Sequence, residues 1–135
     1  MTLYLIDTNV WLERLLNQEK SKEVCLFLDS IASDRFYITD FTFHSIGVIL
    51  YKLKEIESLT KFVRDIFIDG AVHYIHLEPE DTEHMVDTMY QFRLDFDDAY
   101  QYVGAEKYGL TLVSFDTDFD RTKLGRKTPD EVLRT

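Results

Sequence analysis

Cysteine, proline and glycine are all scarce in this chain, with one, two and five copies in 135 residues, and each scarcity narrows the choice of protein class. One cysteine permits no disulfide framework within the chain. Cys25 lies in EVCLFLDS, where apolar residues recur at helical spacing, so it reads as a small buried hydrophobe and not as a nucleophile. No apolar run approaches the ~18 residues needed to cross a bilayer, and no charged start leads into a long apolar stretch. Neither a membrane span nor a signal peptide is therefore expected, and the expected location is cytoplasmic and reducing. Internal repeats, low-complexity tracts and linkers rich in Pro, Gly or Ser are also absent, so the expected organisation is one domain over residues 1–135. Basic charge is short as well. With 15 basic side chains against 25 acidic and a net charge of −10, the chain is not one that coats nucleic acid through its whole surface. Its only basic cluster is RTKLGRK.

Hydrophobic residues make up 45% of the chain and aromatics 14%, enough to build a packed core without staples. TLYLID, RFYITD, AVHYIHL and TLVSFD are short apolar runs, three of them closing in an acid, that suit strands buried on both faces. Between them lie segments with apolar residues at spacings of three and four. NVWLERLLNQ follows the first run with Thr8 or Asn9 as its cap, and SKEVCLFLDSIAS has Ser21 in that position. FTFHSIGVILYKLK, EIESLTKFVRDIFIDG, EPEDTEHMVDTMYQF and DFDDAYQYVGAEKYGL complete the main helical segments, the second stopped by Gly70 and the last by Gly109. KLGRKTPDEVLRT is expected to give a short edge strand and a last helical turn from Pro129. Strands alternating with helices define an α/β layer fold around a mainly parallel sheet.

In parallel α/β sheets ligand sites form at the carboxyl ends of the strands. Asp7, Asp40 and Asp116 end three runs, Asp118 follows closely, and Asp95, Asp97 and Asp98 stand in the turn that returns to the same edge. Each has a structural account as a cap or turn residue. Together they imply more, because carboxylates crowded on one edge repel unless a hard cation such as Mg²⁺ or Mn²⁺ is shared between them. The histidines add little. His73 and His76 are three apart in a strand pattern and face opposite ways, and His84 lies among helix acids.

LIDTNVWLERL resembles the opening motif of PIN domains, the fold of VapC-type toxin ribonucleases. DFDDAYQYVGAEKYGLTLVSFDTDFDR resembles that family's second block, and TPDEVL near the end is similar as well. The resemblance implies a three-layer α/β/α, Rossmann-like domain with a sheet of four to five strands. It puts metal-binding, catalytic acids on Asp7, Asp98 and Asp116, with Asp118 as an auxiliary ligand, and Asp97 in place of Asp98 if the register shifts by one. Thr8, Asn9 and Ser114 match small polar positions that orient carboxylates or touch substrate. The family's usual Glu after the second strand is missing: Ser45 holds that place, or His44 in a shifted register. The implied activity is a Mg²⁺- or Mn²⁺-dependent endonuclease that hydrolyses RNA to 5′-phosphate ends, as the toxin of a toxin–antitoxin pair. Arg14, Arg121, Lys123, Arg126 and Lys127 are candidate phosphate contacts. The implied partners are RNA, an antitoxin and a second copy of the chain. The alternative is a PIN-like module that binds RNA or protein without cleaving. An aspartyl-nucleophile phosphatase ranks lower, because Asn9 stands where that class has a second acid.

Overall fold

TLYLI has almost no side chain suited to water, and in the computed structural model, which describes residues 1–135, its core forms β1 (Tyr4–Ile6), buried throughout. Three further short strands, β2 (Phe36–Thr39), β3 (His73–Ile75) and β4 (Thr111–Val113), join it in a four-stranded, fully parallel sheet of order β3-β2-β1-β4. Strand alternation sends successive side chains to opposite faces. Tyr4, Ile6, Phe36, Ile38 and Val113 therefore enter one core of 15 buried residues, while Leu5 and Leu112 enter another of nine.

Helices fill both faces. α1 (Thr8–Leu15), α2 (Ser21–Ser30), α3 (Asp40–Lys52), α4 (Glu57–Val63) and the short α7 (Pro129–Leu133) place Val10, Val24, Phe27, Ile46, Phe62 and Val132 in the first core. Across the sheet, α6 (Phe96–Tyr108) supplies Ala99, Tyr102 and Ala105, and α5 (Thr82–Phe92) packs on it through Met85 against Val103. The result is the three-layer α/β/α arrangement. No helix is long and apolar enough to cross a membrane.

Local chemistry sets the boundaries, with some corrections to the sequence reading. α1 is capped by Asp7 rather than by Thr8 or Asn9, and Ser21 is the first residue of α2 rather than its cap. Cys25 is half-buried, its thiol 4.0 Å from the Ser21 hydroxyl. The expected fifth strand contracts to one parallel bridge between Val113 and Lys127, after which Thr128 and Glu131 form a reciprocal capping box for α7. Gly109 ends α6 at φ +68°, a left-handed conformation that glycine adopts without strain, and so turns the chain directly into β4.

Phe27 is completely buried and packs edge-on to Tyr4, their ring centroids 6.0 Å apart. Truncation by Phe27→Ala is expected to lower the unfolding free energy by about 3–5 kcal/mol, measured by urea denaturation. A loss below ~1 kcal/mol would contradict the assignment of this ring to the core.

Candidate functional site

Parallel register brings the first two site residues together. Ile6 pairs with Val113, so Asp7 and Ser114 leave β1 and β4 side by side, and the Asp7 amide still donates to the Val113 carbonyl at 2.9 Å. The Asp7 side chain is only 6% exposed yet well provided with donors. Its Oδ1 accepts from the Thr8 amide at 2.8 Å and from Gln101 Nε2 at 2.9 Å. Its Oδ2 accepts from Ser114 Oγ at 2.7 Å and, more distantly, from Asn9 Nδ2 at 3.4 Å. Asn9 also donates to Ser114 Oγ at 3.2 Å and accepts from the Phe115 amide at 3.2 Å, which pins the loop after β4 to the start of α1. Burial pushes the Asp7 carboxyl above its ordinary value; hydrogen bonds from Gln101, Ser114 and Thr8 oppose that rise, and the Asp116 charge adds to it.

Beside Asp7 stand three half-buried acids. Asp98, Asp116 and Asp118 each offer a carboxylate oxygen that lies within 4.8 Å of the other two; Asp7, expected to share their cation, lies outside this close group, near enough for its charge to act on Asp98. Asp98 occupies the first turn of α6, where Asp95 caps the helix by accepting from the Asp98 amide at 2.8 Å. Asp116 is held after β4 by its amide, which donates to Ser114 Oγ at 2.9 Å, and its Oδ1 accepts from the Asp118 amide at 2.8 Å to start a 3₁₀ turn. Asp98 is pushed up to about 7, first by burial and then by the charges of Asp116, Asp95 and Asp7. Oxygen-only ligands of like charge, converging on one point with a single cation alongside, suit a hard divalent ion. That single cation is Arg121, whose guanidinium reaches Asp118 at 3.0 Å.

The remaining sequence candidates fall elsewhere. Asp97 is exposed and outside the acid group. Asp40 is engaged by Tyr100, whose hydroxyl donates to it at 2.7 Å, and by the Phe41 amide. His44 is exposed and Ser45 half-buried, and neither joins the acids. Two of the four cations in the basic cluster, Arg121 and Arg126, are engaged internally. Arg126 forks onto Asp120 with both contacts at 3.1 Å and donates to the Ser114 carbonyl, while Arg121 donates to the Phe92 and Arg93 carbonyls besides Asp118. A pocket of about 350 Å³ lies between α1, α2 and α4, lined by Trp11, Phe36 and Phe62 together with the charged Arg14, Lys61 and Asp65, and shares no residue with the acid group.

Gln101, Thr39 and Thr42 were not anticipated from sequence. All three are buried, and Gln101 bonds to both threonines and to Asp7. The available signal was Gln101 itself, a polar residue three after Asp98 and inside the stripe formed by Ala99, Tyr102 and Ala105.

A parallel α/β sheet with acids gathered at its carboxyl edge defines a class of small domains built around a shared acidic site. Residues 4–124 match the family model of the PIN domain, and the chain belongs to that family. Among solved structures, a toxin–antitoxin complex from Klebsiella pneumoniae matches with TM-score 0.74 and 21% identity, covering 93% of this chain and 97% of that one. FitAcB from Neisseria gonorrhoeae gives TM-score 0.74 and 21% identity over 94% and 98% of the two chains. VapC20 from Mycobacterium tuberculosis, a sarcin-ricin loop cleaving toxin, gives 0.75 and 14% over 90% and 95%. At these identities the likeness is one of fold. No curated protein matches the chain.

Asp7 and Asp98 both bind a proton more tightly folded than unfolded. The folded state therefore carries the excess of protons between the ordinary carboxyl value of 3.8 and about 7, and stability of the cation-free chain falls as pH rises through that window. Thermal unfolding across this range without divalent ions is expected to show the decline, and Asp98→Asn is expected to flatten it and to raise the melting temperature at pH 7 by ~3 °C. A melting temperature that climbs with pH would refute the assignment.

Proposed function

We propose that this chain is a divalent-cation-dependent ribonuclease that acts as the toxin of a toxin–antitoxin pair. The observation that carries the reading is the convergence of Asp98, Asp116 and Asp118, with Asp7 behind them, at the carboxyl edge of a PIN-family sheet. Those four residues would hold Mg²⁺ or Mn²⁺. The chemistry such a cation supplies is polarisation of the scissile phosphate and a lowered pKa for the attacking water.

The chain's own residues account for the rest. Asp7 is oriented from below by Thr8, Gln101 and Ser114, and Ser114 also holds the Asp116 amide, so one hydroxyl sets the spacing of two acids. The amide end of α6 adds a partial positive charge that favours carboxylates at Asp98. Arg121, paired with Asp118, is the cation that would meet an incoming phosphate beside the acids. RNA as substrate and an antitoxin as partner find support in the toxin–antitoxin complex and the RNA-cleaving toxin among the relatives of this fold. A homodimer and a cytoplasmic location belong to the same reading, as does one domain spanning residues 1–135.

A second reading draws on the buried groups that α6 and α3 bring to Asp7: Gln101, bonded to it, and Thr42, bonded to Gln101, are neutral, and the PIN resemblance puts Ser45, or His44 in a shifted register, where a fourth acid is expected. On that basis the domain binds RNA or protein without cleaving. Incubation of RNA with the purified chain and Mn²⁺ separates the two. Cleavage is expected, with Asp98→Asn and Asp116→Asn each lowering the rate by ~100-fold or more, equivalent to ~2.7 kcal/mol of barrier. Asp40→Asn, remote from the acid group and still able to accept from Tyr100, is expected to cleave normally. Intact RNA across varied sequences at saturating Mn²⁺ would favour the binding-only reading.

A further inference from the structure

Gln101 is 1% exposed on the sheet-facing side of α6, and its amide is fully engaged. Nε2 donates to Asp7 Oδ1 at 2.9 Å and to Thr42 Oγ1 at 2.9 Å, while Oε1 accepts from Thr39 Oγ1 at 2.7 Å. Both amide hydrogens are thereby used. The partners also fix which end is which. A carboxylate only accepts, so the nitrogen must face Asp7. Thr39 Oγ1 already accepts from the Thr42 amide at 3.1 Å, which leaves its own proton for Gln101 Oε1. Thr42 Oγ1 continues to Thr8 Oγ1 at 2.9 Å, so one amide links α6 to the ends of β1 and β2 and to the starts of α1 and α3.

The two oxygens of Asp7 are left in different states. Oδ1 takes two short bonds, from the Thr8 amide and from Gln101, and these fill its lone-pair directions. Oδ2 takes one short bond, from Ser114 at 2.7 Å; its second contact, Asn9 at 3.4 Å, is beyond good hydrogen-bond length. Oδ2 is also the oxygen on the Ser114 side, where the Asp116 amide is held. An apolar side chain of the same volume at position 101 would leave Asp7 Oδ1 and the buried Thr39 and Thr42 hydroxyls each short of a partner. The most demanding of the three is the carboxylate, the only one that bears charge.

We propose that Gln101 is a positioning residue: by filling Oδ1 it leaves Oδ2, the more loosely bonded oxygen of Asp7, to ligate a divalent cation shared with the neighbouring acids. This rests on the cation-binding part of the function proposed above and is independent of RNA cleavage. Gln101→Met keeps the length and bulk of the side chain and removes both donors. Mn²⁺ titration of the full-length chain, read by electron paramagnetic resonance, is expected to show an affinity weaker by about 10-fold or more, the usual effect of losing a group that orients a ligand. Circular dichroism and thermal unfolding check that the variant is folded at the assay temperature. Unchanged Mn²⁺ affinity in folded Gln101→Met would overturn the proposal, as would a wild-type chain that binds no Mn²⁺. If Gln101→Met does not fold, the unmutated chain gives the answer: the Gln101 side-chain amide resonances should shift on Mg²⁺ addition with the same midpoint as the Asp98 carboxyl carbon, and static amide resonances would overturn it. Mn²⁺ binding that depends on Gln101 beside RNA that stays intact would remove the ribonuclease reading and leave this one standing.

Discussion

A buried carboxylate with no lysine or arginine partner governs the architecture of this site. Moving an ionised acid out of water is costly unless hydrogen bonds replace the hydration it loses. Asp7 meets that requirement with neutral donors from its own turn, from the end of β4 and from the middle of α6. Each donor stands where it does because another part of the fold is correct. Ser114 depends on the β1–β4 register, Gln101 on α6 lying flat on the sheet, and the Thr8 amide on α1 beginning directly after the strand. Loss of any one would leave part of a buried charge unsatisfied.

Around this centre the chain accumulates charge of one sign. Asp95 caps α6, Asp116 caps the 3₁₀ turn, and Asp98 and Asp118 are held in place by those caps. Caps stabilise local structure while their carboxylates repel one another, so helix starts and site assembly draw on the same residues. Asp98 records the tension most clearly, with its carboxyl pushed up to about 7. Arg121 relieves only the outer acid, and Arg126 faces Asp120 and a main-chain carbonyl. Repulsion built into a folded site in this way is a familiar mark of residues kept for function at the expense of stability.

The absence of a Glu that the PIN resemblance leads one to expect at Ser45, or at His44 in a shifted register, takes on a different aspect beside the buried network. On the α3 side of Asp7 the chain places hydroxyls, Thr39 and Thr42, and an amide from α6, all mutually bonded. Neutral groups there orient Asp7 without adding to the repulsion, whereas a further acid would add to it. The exposed His44 stays outside this arrangement, and Asp40 is drawn off toward Tyr100.

By itself the sequence determined the alternation of buried strands and amphipathic helices, the three-layer fold through its resemblance to PIN domains, and the concentration of acids at one sheet edge. Those features follow from local periodicity and from short motifs, which neighbouring residues along the chain carry. Helix caps were less legible, because Asp7, Thr8 and Asn9 are all good cap residues and only the backbone geometry at Asp7 separates them. The fifth strand contracted to a bridge because a short polar segment forms few ladder bonds. Tertiary structure alone decided which of the candidate acids converge, keeping Asp98, Asp116 and Asp118 and excluding Asp97 and Asp40, and it alone revealed the amide of Gln101 against Asp7, 94 residues earlier in the chain. Contacts across such separations depend on strand register and on the rotation of α6 over the sheet, which no local pattern encodes.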